Sequence, residues 1–275
     1  MGLVCLYEFM GQIFFMYAVL VSGGSGSDYA GIVGPLALFA IASIFGGVSG
    51  GHFNPAVTIG VYFREAKYAE NFIFLIMIVA SQICGALVGM FFSYLVLRVQ
   101  KDGDYTVLPQ NVPLLLPSTL TKDVIDSGNV DLYWNFTTWY MEVVCTFVFV
   151  LTILHVTGKR TIAAIPESTV WILPTICIVL WALCNVCYFT GASFNPALAI
   201  GSTVFQYWWY PNNPSNVMTH YLLYYVTGAA VGGMSAGLFY QWHKTLFPDD
   251  DHESRVGTPT SDSEARFNAK KVSLN

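Results

Sequence analysis

Two tripeptides, Asn54-Pro55-Ala56 and Asn195-Pro196-Ala197, and two acids in apolar surroundings, Glu8 and Glu142, are the residues from which function can be argued. An Asn side chain caps a helix by accepting a first-turn N–H, and Pro suits the next position because its missing N–H would have no partner there. Each tripeptide therefore predicts a helix start that presents an amide to whatever lies ahead of it. That chemistry is hydrogen bonding to a neutral guest, not bond breaking. The apolar segments contain no nucleophile with a base at reachable spacing, so an enzyme is not expected. The six cysteines (Cys5, Cys84, Cys145, Cys177, Cys184, Cys187) lie in apolar runs with no His or acid at ligand spacing. They read as small lipid- or core-facing side chains, with no metal site, cofactor or disulfide framework expected.

The context of the tripeptides is duplicated. Ser49-Gly50-Gly51-His52-Phe53-Asn54-Pro55-Ala56-Val57-Thr58-Ile59-Gly60 aligns with Thr190-Gly191-Ala192-Ser193-Phe194-Asn195-Pro196-Ala197-Leu198-Ala199-Ile200-Gly201, with seven of the twelve positions identical. One copy alone is a turn or capping signal, whereas two copies in matching context mark an internal repeat. Each half also opens with its acid, Glu8 or Glu142, followed by Gly11 or Cys145 and an aromatic-rich run.

The elements that position these residues follow from composition. The chain of 275 residues is 55% hydrophobic and 11% charged with mean hydropathy +0.54, whereas a soluble domain carries about a quarter charged residues. Six stretches are long enough to span a bilayer: 4–21, 31–50, 72–97, 134–156, 169–189 and 221–242. The first contains Glu8 and has no basic segment before it, so it reads as a retained helix and not a signal peptide. Segments 55–63 and 196–205, at about ten residues each, reach only about half of a 30 Å core. Three spans per half is an odd number, so the second copy enters from the opposite face. The expected fold class is an all-α membrane protein with six transmembrane helices and two re-entrant half-helices in an inverted internal repeat. Irregular backbone at Gly50-Gly51 and Gly191-Ala192 is tolerable at that depth only where it lines a wet cavity or is buried in protein. Lining a cavity, its carbonyls make a ladder of acceptors.

A net charge of −5 and a pI near 5.4 leave no basic footprint, so no nucleic-acid partner is expected. With both termini cytoplasmic, Arg64, Lys67, Lys159, Arg160, Lys244, Arg255, Arg266, Lys270 and Lys271 face inward, and Arg98, Lys101 and Lys122 face outward. The chain divides into a channel-like domain, 1–247, and a polar, acidic, Ser/Thr-rich tail, 248–275, that reads as disordered and carries Ser261 and Ser263 as candidate phosphorylation sites. Within the first domain, repeat one covers about 1–97 and repeat two about 134–243, joined by an extracytoplasmic loop, 98–133, bearing Pro109, Pro113 and Pro117. Asn135-Phe136-Thr137 is an N-glycosylation acceptor pattern that abuts a predicted helix.

Both Asn-Pro-Ala motifs, Glu8 and Glu142, Gln82-Ile83-Cys84-Gly85-Ala86 and Gly228 together resemble the aquaporin (major intrinsic protein) family over about residues 4–243. The resemblance implies a passive channel in a lipid bilayer for water and small neutral solutes, excluding ions and protons. It also implies a homotetramer with one pore per subunit, which packing through Gly85, Gly89, Gly228, Gly232 and Gly233 would permit. Glu8, Glu142 and His52 are then expected to brace the re-entrant loops.

Offsets counted from the two motifs place the family's outer constriction at Gly34, Leu183, Ala192 and Leu198. Most relatives have Arg where this chain has Leu198, and Ser202 replaces a usual Pro. The filter is thus expected to be wide and uncharged, leaking glycerol, urea, ammonia or hydrogen peroxide besides water. The host membrane is the plasma membrane or an intracellular one. Two other classes compete. A secondary transporter would show saturable, gradient-coupled uptake, and a non-conducting adhesion or signalling protein would work with both Asn residues replaced.

Overall fold

The computed structural model describes residues 1–108, 111, 115, 132–158, 171–209 and 215–246. Lys122, Lys159, Arg160, the three loop prolines, Arg255, Arg266, Lys270, Lys271 and the tail with Ser261 and Ser263 lie outside the described residues. Met1–Tyr240 form one compact unit and Gln241–Asn275 another.

The described residues form eight helices: α1 Gly2–Gly24, α2 Ala30–Ser49, α3 Pro55–Glu65, α4 Tyr68–Leu97, α5 Leu132–Val156, α6 Ile172–Val186, α7 Pro196–Trp209 and α8 Ser215–Leu246. Five of these (α1, α2, α4, α5, α8) are long and apolar enough to cross a membrane. The expected span 169–189 is shorter, because α6 has 15 residues and gives way to a 3₁₀ turn at Tyr188–Thr190. Apolarity at Cys187, Tyr188 and Phe189 suggested more helix, but the Thr190 hydroxyl bonds the Cys187 carbonyl at 3.1 Å and turns the chain. The half-helices start at the motifs. Asn54 is extended (φ −162°, ψ 119°) and its side chain accepts the Ala56 N–H at 2.8 Å, with Pro55 opening the helix. Asn195 accepts from Ala197 at 3.0 Å and Leu198 at 3.4 Å.

Glycines bring the long helices together in the same way in both halves. A Cβ on Gly89 of α4 would lie 2.8 Å from the Met16 Cβ of α1, and one on Gly232 of α8 would lie 2.9 Å from the Thr146 Cβ of α5. Gly85 and Gly228, one turn earlier, face Gln12 and Glu142 in the same manner. Gly233 seats α3, its missing Cβ lying 3.2 Å from the Ala56 Cα. These glycines, expected to serve packing between subunits, pack within the subunit. The closeness of the backbones leaves no room for a second helix there. Gly89→Val or Gly232→Val is expected to cost about 3 kcal/mol through overpacking and to lower the unfolding temperature in detergent by several degrees. Gly31→Ala, with no atom within 4 Å of the new Cβ, should leave it unchanged, and equal behaviour of all three would contradict this packing.

The stretch after α4, expected as a loop, begins with a hairpin of β1 Arg98–Lys101 and β2 Asp104–Val107, in which Arg98 pairs with Val107. Asp102 and Gly103 turn it with φ of 52° and 91°, the two positive values that a two-residue type I′ turn requires. The Arg98 guanidinium sits 4.5 Å over the Tyr105 ring, and Tyr94 stacks on Trp209 at 4.4 Å. Those contacts fix the hairpin near the ends of α4 and α7.

Candidate pore

The two loops ahead of the half-helices take the same backbone path. Gly50 and Gly191 have φ of 90° and 88°, Gly51 and Ala192 have 69° and 51°, and Phe53 and Phe194 have 44° and 49°. Three left-handed residues within four consecutive positions of each loop therefore bend the chain back on itself before Asn starts the helix. Left-handed conformations are costly for residues with a Cβ, so Phe53, Ala192 and Phe194 persist only because their surroundings hold them there.

Those surroundings are the two buried acids. Glu8 accepts the His52 N–H on Oε1 at 3.0 Å, and the Phe53 N–H and the Gln82 amide on Oε2 at 2.6 and 2.8 Å. Glu142 accepts the Thr190 hydroxyl and the Ser193 N–H on Oε1 at 2.8 and 3.2 Å, and the Phe194 N–H on Oε2 at 2.9 Å. His52 Nδ1 lies 3.2 Å from the Thr58 hydroxyl, which ties the first loop to α3. Tyr225 donates to the Thr190 carbonyl, as Gln82 donates to Glu8 in the other half. A buried N–H left without a partner costs about 1–3 kcal/mol. Glu142→Ala orphans two of them and is expected to lose about 3–5 kcal/mol, seen as a drop in thermal stability. Glu142→Gln keeps one acceptor oxygen and should lose less; equal losses would argue against bracing.

The loop tips meet. Asn54 Nδ2 donates to the Phe194 carbonyl at 2.8 Å, and Asn195 Nδ2 donates to the Phe53 carbonyl at 3.0 Å. Each amide has two hydrogens, so one holds the opposite loop and the other is left for a guest. Both Asn side chains line an inner cavity of about 490 Å³, together with Gly51, His52, Thr157 and Cys177. An outer cavity of about 370 Å³ is lined by Gly34, Ala192, Leu198, Ser202 and Cys184. Phe15, Leu180 and Ser193 line both. Two cavities thus approach from opposite sides and adjoin beside the paired motifs.

A model of the major intrinsic protein family matches residues 4–240. The chain belongs to the major intrinsic protein family. Members of this family are membrane channels and not enzymes. Aquaporin-4 of Notomys alexis is 27% identical over 264 residues, covering 90% of this chain and 68% of that protein. Glycerol uptake facilitator protein-like 6 of Lactiplantibacillus plantarum is 30% identical over 207 residues, covering 73% and 82%. Aquaporin C of Dictyostelium discoideum is 28% identical over 275 residues, covering 93% and 87%. In fold, the X-ray structure of the aquaglyceroporin from Plasmodium falciparum superposes with a TM-score of 0.64 at 16% identity, covering 90% of this chain and 97% of that one.

Within this major intrinsic protein, three of the four offset positions, Gly34, Ala192 and Leu198, line the outer cavity. Leu183 is not among its lining residues; Leu180 and Cys184 of α6 are. All three share one helix face and pack in or against the core, but only Leu180 and Cys184 reach the cavity wall. Counting residues gives the level of a helical position but not which neighbour turns inward. Leu115 and Tyr188 also line this cavity and were not foreseen. The run Leu114-Leu115-Leu116 between Pro113 and Pro117, apolar in an otherwise polar loop, was the available signal. Asn135 lies inside α5 and is 5% exposed, so the folded chain does not present the glycosylation pattern to solvent. Among the described residues no group of His, Cys, Asp or Glu has the arrangement of a metal site, and all six cysteines are free.

Proposed function

We propose that this chain is a passive channel for water and small neutral solutes such as glycerol, urea, ammonia or hydrogen peroxide, and that it excludes ions and protons. The observation that carries this reading is the reciprocal pair of amide–carbonyl bonds between Asn54 and Phe194 and between Asn195 and Phe53, beside the junction of two cavities. A permeant stripped of water needs replacement hydrogen bonds. The spare amide hydrogens donate them, and carbonyls of the left-handed loops accept. Cations meet a different situation. Two helix N-termini of about half a positive charge each, at about 5 Å and an effective dielectric of roughly 20, repel a monovalent cation by about 3 kcal/mol. Desolvation adds several kcal/mol more.

The apolar and small residues of the outer cavity, with Leu198 in place of a fixed charge, support passage of solutes wider than water. Relatives named both aquaporin and glycerol uptake facilitator support the same range. Residues 1–247 then form the channel and 248–275 a cytoplasmic tail, with both termini inside. The assembly is a homotetramer in the plasma membrane or an intracellular membrane, each subunit with its own pore. Reconstituted vesicles placed in isosmotic glycerol or urea should swell faster than empty ones while holding an imposed pH gradient. Swelling at the empty-vesicle rate, or collapse of the gradient, would overturn the proposal.

A further inference from the structure

The outer cavity, at about 370 Å³, far exceeds the roughly 30 Å³ share of one water, so it accommodates a solute with its own shape. Most of its wall is apolar, from Val19, Leu20, Leu180 and Leu198. Three serine hydroxyls interrupt that wall. Ser22 donates to the Val19 carbonyl at 3.0 Å, and Ser193 donates to the Asn195 carbonyl at 3.2 Å, so both retain acceptor capacity only. Ser202 differs. It is 4% exposed, lines the cavity and makes no hydrogen bond to another described residue. It stands four residues after Leu198 on α7, hence one turn along the same helix face.

A hydroxyl removed from bulk water and left unpaired is unfavourable, so whatever occupies the cavity is its partner. We infer that Ser202 is the residue that sets solute preference in the outer cavity, and that the preferred solute is a small polyol; this rests on the channel reading above. The matching is chemical. A polyol hydroxyl both donates and accepts, as Ser202 does, and its neighbouring hydroxyls donate to the oxygens of Ser22 and Ser193. Its C–H edge lies on Leu180 and Leu198, which offer urea or ammonia no hydrogen bond. Where a fixed cation is absent, this buried and uncommitted hydroxyl decides between solutes of similar size.

The test compares native protein with Ser202→Ala and Ser202→Thr in proteoliposomes, using variants that elute as native. Ser202→Ala should lower the glycerol-to-urea permeability ratio about fivefold to tenfold, the effect of one hydrogen bond. Ser202→Thr, which keeps the hydroxyl, should restore most of it. Cys184 lines the same cavity and gives a readout independent of flux. Glycerol should slow its reaction with methyl methanethiosulfonate, followed by mass spectrometry, in native protein and not in Ser202→Ala. An unchanged ratio and unchanged protection in Ser202→Ala would overturn the inference, as would equal losses for glycerol and urea. If native vesicles passed no solute, the channel reading would fail, and protection of Cys184 would still decide whether Ser202 binds the polyol.

Discussion

Replacing Asn54 and Asn195 together by leucine is expected to lower water permeability about thirtyfold or more. Each substitution deletes a donor beside the junction of the two cavities, and two lost hydrogen bonds of about 1–1.5 kcal/mol each give that factor if both act at the barrier. Each also deletes a cap bond, to Ala56 or Ala197, and a bond across to the other loop. The variant should therefore be less stable as well, by a few kcal/mol. Stopped-flow light scattering on vesicles with matched protein content measures the first effect, and thermal unfolding in detergent the second. Native water flux in a folded double variant would mean that the amides do not face the permeant.

The second large effect is expected from Leu198→Arg. Leu198 is buried in the first turn of α7, with its N–H on the Asn195 side chain, and its side chain lines the outer cavity. An arginine there fills part of a cavity of about 370 Å³ and adds a charge that a polyol must pass closely. Glycerol flux should fall at least tenfold, the loss that about 1.4 kcal/mol of added barrier produces, while water flux falls much less. Guanidinium donors replace the hydrogen bonds that water needs, but glycerol has no room to reorient. Unchanged glycerol flux would show that position 198 does not face the route. Proton leak should stay low in both proteins, because the half-helix termini are unaltered.

Much of this site was legible because its signals are local. Asn followed by Pro specifies a capped helix start whatever surrounds it, and duplication of twelve residues identifies the symmetry. The acids were legible for a related reason, since a carboxylate amid apolar residues needs dedicated donors, and the loop N–H groups of His52, Phe53, Ser193 and Phe194 are those donors.

What was not legible depends on tertiary placement. The preference for Cys184 over Leu183 at the cavity wall is a rotation of α6 that no spacing rule encodes. Gly85, Gly89, Gly228 and Gly232 showed a need for close helix contact but not which helix makes it, and the partners are α1 and α5 of the same chain. The hairpin 98–107 was different. Asp102-Gly103, with Val99 before it and Tyr105-Thr106-Val107 after it, carried a recognisable turn signal, which the surrounding prolines and charges obscured.

The central claim is that two half-helices, capped by Asn54 and Asn195 and bonded tip to tip, border a route that water can traverse. The most direct measurement is the osmotic shrinkage rate of vesicles containing the native chain against empty vesicles of the same lipid. A rate at least several times faster, which falls back when both Asn residues are replaced, is the expected result. A rate equal to that of empty vesicles, from protein that is folded and inserted, would contradict it.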